Sequence, residues 1–195
     1  MEMGFIITCF RGREREALNE ALITFNTITI RSHVNTSINF NERIHSEIDN
    51  NEKLFDHSHI KKLKNIVFIK NKSSCDSVKI YEEIVKRKLS CRFIQRLIPL
   101  DFIGNLKFWK DVISLMVEKS KSFDVKTYKI LYEKRLSEKG LKDEIFDTVT
   151  RNMILKVDLC NPDLLMVVQV FKTHIGGAVI LNDSINFNIQ KNNKI

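Results

Sequence analysis

The sequence lacks an apolar segment long enough to cross a membrane, and it contains few residues that interrupt regular structure. No stretch approaches the roughly 18 uninterrupted apolar residues that a membrane-spanning helix requires. Only two prolines and six glycines occur in 195 residues. The N-terminus also lacks a basic region followed by an apolar run and a small-residue cleavage site. We therefore expect a globular intracellular protein without a membrane partner.

The usual motifs of metal, redox and catalytic sites are also absent from the sequence. The four cysteines are widely spaced and form no CxxC pair, and there is no GxSxG, Walker or GxGxxG motif. His45, Asp56, His57 and His59 are the residues closest to a metal-binding set. They fall in a polar segment with little periodicity, whereas a metal site needs rigid elements and supporting hydrogen bonds. We predict no metal, no cofactor and no catalytic residue for this chain.

Positive charge is concentrated in the later two thirds of the chain. Residues 1–60 contain 6 Lys or Arg and 9 Asp or Glu, whereas residues 61–195 contain 26 and 15. Because cations that neutralise phosphates release condensed counterions, such an excess favours a polyanionic partner. The charge balance therefore indicates that the later part of the chain is where nucleic acid would bind.

The densest basic segment lies between Ile84 and Ile98 and contains no acid. Its cations are Lys86, Arg87, Lys88, Arg92 and Arg96. On a strand, Arg92 and Arg96 would share one face about 13 Å apart, which suits contacts with a phosphate backbone. The alternative is a solvated strand whose arginines discourage edge-to-edge pairing. Lys134 and Arg135 belong to a second basic group that could extend the same surface.

Predicted strands alternate with predicted helices, which indicates an α/β sheet in each half of the chain. We predict a first domain at residues 1–74, with a loop or insert at 32–60, a second domain at 75–183 and a tail at 184–195. The predicted strands are residues 5–10, 28–31, 66–69, 92–98, 128–132, 164–171 and 175–181. One helix is predicted directly after the first strand. Three further helices are predicted at residues 76–88, 105–119 and 141–152.

A turn at Asn161-Pro162-Asp163-Leu164 is similar to the Asn-Pro-Pro-aromatic loop of methyltransferases that modify exocyclic amines. It differs at the last two positions, and no glycine-rich turn for a nucleoside cofactor precedes it. The simpler interpretation is a turn that leads into the next strand.

Three blocks of the sequence resemble one family. Residues 91–99, Cys-Arg-Phe-Ile-Gln-Arg-Leu-Ile-Pro, are similar to a strand motif of THUMP domains, in the version of the eukaryotic tRNA acetylation adaptors. Residues 156–176, which include Asn161-Pro162 and an apolar strand ending at Phe171-Lys172, resemble the end of those domains. Residues 4–9 and 13–17 resemble the start of the adaptors.

This resemblance implies a small ferredoxin-like domain followed by a THUMP domain with a mixed, mostly parallel sheet. It also implies RNA contacts. Arg92, Gln95 and Arg96 match the strand motif, Lys172 matches the basic residue after the apolar strand, and Arg11 and Arg13 match basic residues after the first strand. With the two basic groups, the predicted RNA-binding residues are Arg11, Arg13, Lys86, Arg87, Lys88, Arg92, Gln95, Arg96, Lys134, Arg135 and Lys172.

The function implied by the resemblance is that of a non-catalytic adaptor. Such an adaptor binds serine and leucine tRNAs and presents them to a tRNA cytidine acetyltransferase, which modifies a cytidine in the D arm. Acetyl-CoA and ATP would be used by that partner, and residence in the nucleus or nucleolus is expected, with the cytoplasm as the alternative. Two other functions remain open: an RNA-modifying enzyme of methyltransferase type, and an RNA-binding protein associated with ribosomes or other ribonucleoproteins.

Overall fold

The computed structural model describes residues 2–34, 54–58, 64–135, 141–182, 185 and 187–189. Within them lie eight strands, four α-helices and one 3-10 turn. The strands are β1 (Glu2–Cys9), β2 (Phe55–Ser58), β3 (Ile66–Asn71), β4 (Ile94–Asn105), β5 (Thr127–Arg135), β6 (Lys156–Val157), β7 (Leu164–Phe171) and β8 (His174–Leu181). The helices are α1 (Glu14–Val34), α2 (Ser77–Lys86), α3 (Trp109–Ser120) and α4 (Leu141–Asn152), and the 3-10 turn is Leu106–Phe108.

The chain divides into two compact units. The amino-terminal unit consists of Phe5–Ile98 with Phe187–Ile195, and the carboxyl-terminal unit consists of Pro99–Asn186 with Met1–Gly4. The sequence analysis places a domain boundary after residue 74, whereas the contacts group α2 and the first half of β4 with the amino-terminal unit. The domain limits at 1–74 and 75–183 stay a sequence-based prediction.

The amino-terminal unit has the order of a ferredoxin-like fold. Its elements follow one another as β1-α1-β2-β3-α2-β4, and its strands lie side by side as β2-β3-β1-β4. Its core contains a cluster of aromatic rings: the Phe25 ring centroid lies 4.2 Å from that of Phe5 and 5.3 Å from that of Phe55. The predicted ferredoxin-like domain is therefore confirmed as a fold.

Two details of this unit correct the sequence-based prediction. Residues 28–31 are not a strand, because α1 continues through them to Val34. Ala21, Phe25 and Ile28 are all buried, and their spacing keeps one face of a continuous helix turned inward. Residues 32–60 contain the end of α1, Leu54 and all of β2, and the remainder of that predicted insert lies outside the described residues.

The carboxyl-terminal unit has a mixed sheet, as predicted. From the second half of β4 the order is β4-β8-β7-β5-β6. Strand β5 is parallel to β7 and β6, whereas β8 is antiparallel to β7 and β4. The sheet is thus more antiparallel than predicted. The reason is the two-residue turn at Lys172 and Thr173, which returns the chain beside β7 in the opposite direction.

Helix α3 packs closely on β8 because the residue of that strand that faces the helix, Gly177, has no side chain. All eight residues of β7 are buried, and β8 beside it contains Gly176 and Gly177. A Cβ atom added to Gly177 would lie 2.1 Å from the Met116 sulfur of α3. This close approach determines how α3 covers the sheet. Among the described residues, no helix combines the length and apolar character needed to span a membrane.

Replacing Gly177→Ala should lower the free energy of unfolding by about 1–3 kcal/mol, because the added methyl group overpacks the contact with Met116. Urea unfolding measures this value. Met116→Ala alone creates a cavity, which the methyl group of Gly177→Ala can occupy. The double variant should therefore lose less unfolding free energy than the sum of the losses in the two single variants. Gly104→Ala is the matched control, since its Cβ would approach Val112 only to 3.3 Å. Additive losses would contradict this account.

Candidate nucleic-acid interface

One carboxylate of α1 holds the segment just before β4. Glu20 Oε1 accepts the Arg92 N–H at 2.6 Å, and Glu20 Oε2 accepts the N–H groups of Phe93 and Ile94 at 2.9 and 3.2 Å. Residues 92 and 93 therefore form a bend, and β4 begins at Ile94, two residues later than predicted. The expectation that Arg92 and Arg96 share the face of one strand is wrong, because Arg92 precedes the strand.

Residues 187–189 contact the same segment from the end of the chain. The N–H of Leu97 donates to Phe187 O at 2.9 Å, and the N–H of Ile189 donates to Gln95 O at 3.2 Å. The Phe187 ring also packs on Tyr81, with 5.8 Å between centroids. The sequence analysis assigned these residues to a tail. Alternation of Ile185, Phe187 and Ile189 with polar residues is the strand signal that could have identified this pairing.

The three motif residues lie in different environments at the start of β4. Arg92 is exposed, and its guanidinium carbon lies 5.3 Å from the centre of the Phe93 ring. Gln95 and Arg96 are half-buried, and the backbone of Arg96 pairs with Asn188. The structure thus brings these three predicted RNA contacts together within the amino-terminal unit, and Arg92 is the most accessible of them.

The end of α2 supplies three further cations. Lys86 Nζ and Arg87 Nη2 lie 3.6 and 2.8 Å from the Glu83 carboxylate. Lys88 follows in a left-handed conformation, with φ at 51°. Its N–H donates to Val85 O, and the next N–H donates to Ile84 O, which is the Schellman pattern that usually has glycine at this position.

A second basic cluster lies at one end of the carboxyl-terminal unit. Lys134 and Arg135 end β5, and Arg135 pairs with Phe171 at the end of parallel β7. The Lys172 N–H then donates to Arg135 O at 3.0 Å. Lys172 is also left-handed, with φ at 56°, in the turn to β8. The structure therefore brings Lys134, Arg135 and Lys172 together.

Arg11 and Arg13 lie in the turn between β1 and α1 of the amino-terminal unit. Arg11 is exposed, and Arg13 Nη1 lies 2.6 Å from Glu16 Oε1. Among the eleven predicted residues, acids of the protein already engage Arg13, Lys86, Arg87 and Arg135.

Five other cations of the set form no ion pair within the part of the chain that the structure describes. These cations are Lys88, Lys134, Lys172, Arg11 and Arg92. A phosphate could approach any of them without displacing a carboxylate. The RNA-binding residues themselves stay a prediction.

The sequence matches no protein-family model. It is 28% identical to an uncharacterized protein of Schizosaccharomyces pombe over 93% of this chain and 71% of that protein. Two solved structures are similar, each with a TM-score of 0.52: PH1313 of Pyrococcus horikoshii, at 13% identity, and a 4-thiouridine synthetase in complex with RNA and ATP, at 18% identity. Both contain THUMP domains.

The fold is THUMP-like. The superposition covers 93% of this chain on PH1313 and 92% on the synthetase, so both compact units contribute to the likeness. The chain spans 55% of the first protein and 41% of the second. At these identities the likeness concerns the fold alone.

The Asn161-Pro162 turn of the carboxyl-terminal unit is held by two aspartates. Asp158 Oδ1 accepts the N–H groups of Cys160 and Asn161 at 2.8 and 2.9 Å. Asp163 Oδ2 accepts the N–H groups of Lys126 and Thr127 and the Thr127 hydroxyl, at 2.9–3.0 Å. These bonds fasten the turn to the start of β5, which is what the simpler interpretation of the turn requires.

Cysteines and metal ligands give no further site in the described part of the chain. No group of three or more His, Cys, Asp or Glu that could hold a metal ion occurs there, while His45 and His59 lie outside the described residues. Burial raises the pKa of the Cys9 thiol to about 11 and that of Cys91 to about 12. Both thiols therefore stay protonated near neutral pH, as expected of structural cysteines.

Lys88→Gly should raise the free energy of unfolding by about 1 kcal/mol, because glycine adopts the left-handed conformation without steric cost. Chemical denaturation measures this change. Lys86→Gly is the matched control inside the last turn of α2, where glycine should instead lower stability by about 1 kcal/mol. A loss of stability in Lys88→Gly would show that the lysine side chain itself supports the helix end.

Stability should depend on pH through Asp163. The N–H of Lys126, followed by the hydroxyl and N–H of Thr127, lowers the pKa of this carboxyl. A lowered folded-state pKa contributes stability that is present above the unfolded-state pKa of about 3.9 and is lost as pH falls through the folded-state value. Asp163→Asn should therefore be less stable than wild type at pH 7, and the gap should narrow below about pH 4.

Urea unfolding at pH 7, 5 and 3.5 measures this difference. Thr127→Val removes one of the three hydrogen bonds to the Asp163 carboxylate. The pH dependence of its unfolding free energy should therefore lie between those of wild type and Asp163→Asn. Parallel profiles for all three proteins would rule out a contribution of Asp163 to the pH dependence.

Proposed function

We propose that this chain binds tRNA and acts as a non-catalytic adaptor. In this role it presents serine and leucine tRNAs to a tRNA cytidine acetyltransferase, which forms 4-acetylcytidine in the D arm. The acetyltransferase supplies the catalytic residues and uses acetyl-CoA and ATP, and the adaptor works beside it in the nucleus.

The observation that carries the proposal is the likeness of fold to a synthetase solved with RNA. Its THUMP-like architecture covers 92% of this chain. This chain adds exposed cations that lack acidic partners in its described part, among them Lys88, Arg92 and Lys172. Cations of this kind supply the sequence-independent part of RNA affinity, because they bind phosphates.

The adaptor role is supported by the sequence resemblance. Arg92, Gln95 and Arg96 match the strand motif of the acetylation adaptors, and the structure gathers them at the start of β4. The block from Lys156 to Gly176 is the second match, and it forms β6, the Asn161-Pro162 turn, β7 and the start of β8.

Reconstitution tests the adaptor role directly. Unmodified serine tRNA, incubated with a tRNA cytidine acetyltransferase, acetyl-CoA and ATP, should gain 4-acetylcytidine only when this protein is present. The protein without the acetyltransferase should form none. Mass spectrometry of the digested nucleosides measures the product. Acetylation that does not depend on this protein, although it binds tRNA, would contradict the adaptor role and favour an RNA-modifying enzyme or a ribosome-associated protein.

Replacing Arg92→Ala together with Arg96→Ala should weaken tRNA binding and reduce its salt dependence. Loss of two phosphate contacts should lower the slope of log affinity against log salt concentration by about 1.5–2. Lys79→Ala, an exposed cation on α2 outside the predicted set, is the matched control. Because Arg96 is half-buried, thermal unfolding is measured in parallel, and a loss of stability comparable to the loss of binding would make these arginines structural.

A further inference from the structure

One aromatic side chain of the carboxyl-terminal unit is exposed although the nearest apolar residues along the chain are packed inward. Phe108 has 62% of its surface exposed, whereas Trp109 has 8% and Leu106 packs against the core. Phe10 is the only other aromatic among the large hydrophobic side chains exposed in the described part. Phe108 therefore leaves most of its ring surface available for contact with a ligand.

The turn that presents Phe108 is held in place by the β7–β8 turn. Asn105 Oδ1 accepts the Lys107 N–H at 3.0 Å, and the Leu106 N–H donates to Thr173 O at 2.8 Å. Asn105 also pairs with His174, where β4 ends and β8 begins. Phe108 therefore lies in a fixed turn. Two residues before it, the N–H of Leu106 is hydrogen-bonded to the β7–β8 turn, which contains Lys172.

The charge around this turn is mostly positive. Lys107 directly precedes Phe108 and Lys110 follows it by two residues, and Lys110 Nζ lies 5.7 Å from the centre of the Trp109 ring. The hydrogen bond from Leu106 to Thr173 joins the 3-10 turn to the β7–β8 turn. The backbone N–H of Lys172 in that second turn donates to Arg135 O. Asp111 is the exposed acid of the same region. The sequence analysis did not identify this surface, which is defined here as the Phe108 platform: Lys107, Phe108, Lys110 and Lys172.

We propose that the Phe108 platform binds an unpaired nucleotide of RNA, with the base stacked on the Phe108 ring and adjacent phosphates bound by Lys107 and Lys172. Aromatic rings receive bases of any sequence by stacking, but only where the bases are unpaired, because paired bases already stack within a duplex. The inference rests on the proposed RNA binding but not on the acetyltransferase. The positive charge favours RNA over an apolar protein partner as the occupant.

Binding of RNA to Phe108→Leu and Phe108→Tyr tests the platform. The leucine variant keeps an apolar side chain but loses the ring, so its affinity for a single-stranded 12-nucleotide RNA should fall about 5- to 100-fold. The tyrosine variant should bind like wild type. Affinity for a blunt-ended RNA duplex should stay the same in all three proteins. Leu115→Ala, an exposed position on α3, is the control for loss of apolar surface.

A fluorescent 2-aminopurine in the single-stranded RNA reports stacking directly. Its emission should be quenched by wild type and by Phe108→Tyr, and much less by Phe108→Leu at saturation. Thermal unfolding of each variant confirms that the exposed substitution leaves the fold intact.

Three outcomes would overturn the inference. If Phe108→Leu binds the single-stranded RNA like wild type, the ring does not stack on a base. If it binds RNA normally but abolishes adaptor-dependent acetylation, the ring contacts the acetyltransferase, and the proposed function stands. If wild type binds neither this RNA nor tRNA, the proposed function itself fails.

Discussion

The three hydrogen bonds from residues 92–94 to the Glu20 carboxylate determine how the amino-terminal unit presents its basic segment. A carboxylate that accepts several backbone N–H groups is a strong acceptor, and it fixes the backbone on which Arg92 stands. Because the bond crosses from α1 to the start of β4, packing of α1 on Phe5 also orients this segment. The pairing of Gln95 and Leu97 with residues 187–189 holds the strand that follows. An arginine whose backbone is restrained in this way needs to order only its side chain on binding, which lowers the entropic cost.

Two of the predicted RNA-binding lysines occupy left-handed backbone positions that glycine would adopt without strain. Lys88 ends α2 and Lys172 begins the β7–β8 turn, and only Asn65 shares this property among the described residues other than glycine. A lysine at the end of a helix gains from the negative end of the helix dipole, but this gain of about 0.3–1 kcal/mol does not exceed the left-handed cost of about 1–2 kcal/mol. Neither lysine has an ion pair in the described part of the chain. Backbone strain of this kind is common where function requires a side chain at a fixed place.

The sequence predicted the regular elements well where one periodic signal dominated. Residues 141–152 coincide with α4, and the apolar runs 164–171 and 175–181 are β7 and β8. It failed where signals competed: the β-branched residues 27–30 favour a strand, but burial of Phe25 and Ile28 on one face extends α1. Ion pairs of Glu83 with Lys86 and Arg87 were readable from their spacing, since side chains three and four residues apart meet on a helix. The bond between Lys172 and Arg135 and the exposure of Phe108 depend on contacts between distant segments, which no local pattern records.

Charge and stacking contribute to RNA binding in different ways, and the two compact units differ in what they offer. The amino-terminal unit offers mainly cations near α2 and β4, whose attraction to phosphates weakens steeply with salt and depends little on whether the RNA is paired. The carboxyl-terminal unit combines lysines with one exposed ring at a fixed turn. Stacking on a ring is far less sensitive to salt and requires unpaired bases. In the proposed RNA complex, the amino-terminal unit therefore supplies affinity for a folded RNA of any sequence, and the carboxyl-terminal unit selects a place where that RNA has a single-stranded nucleotide.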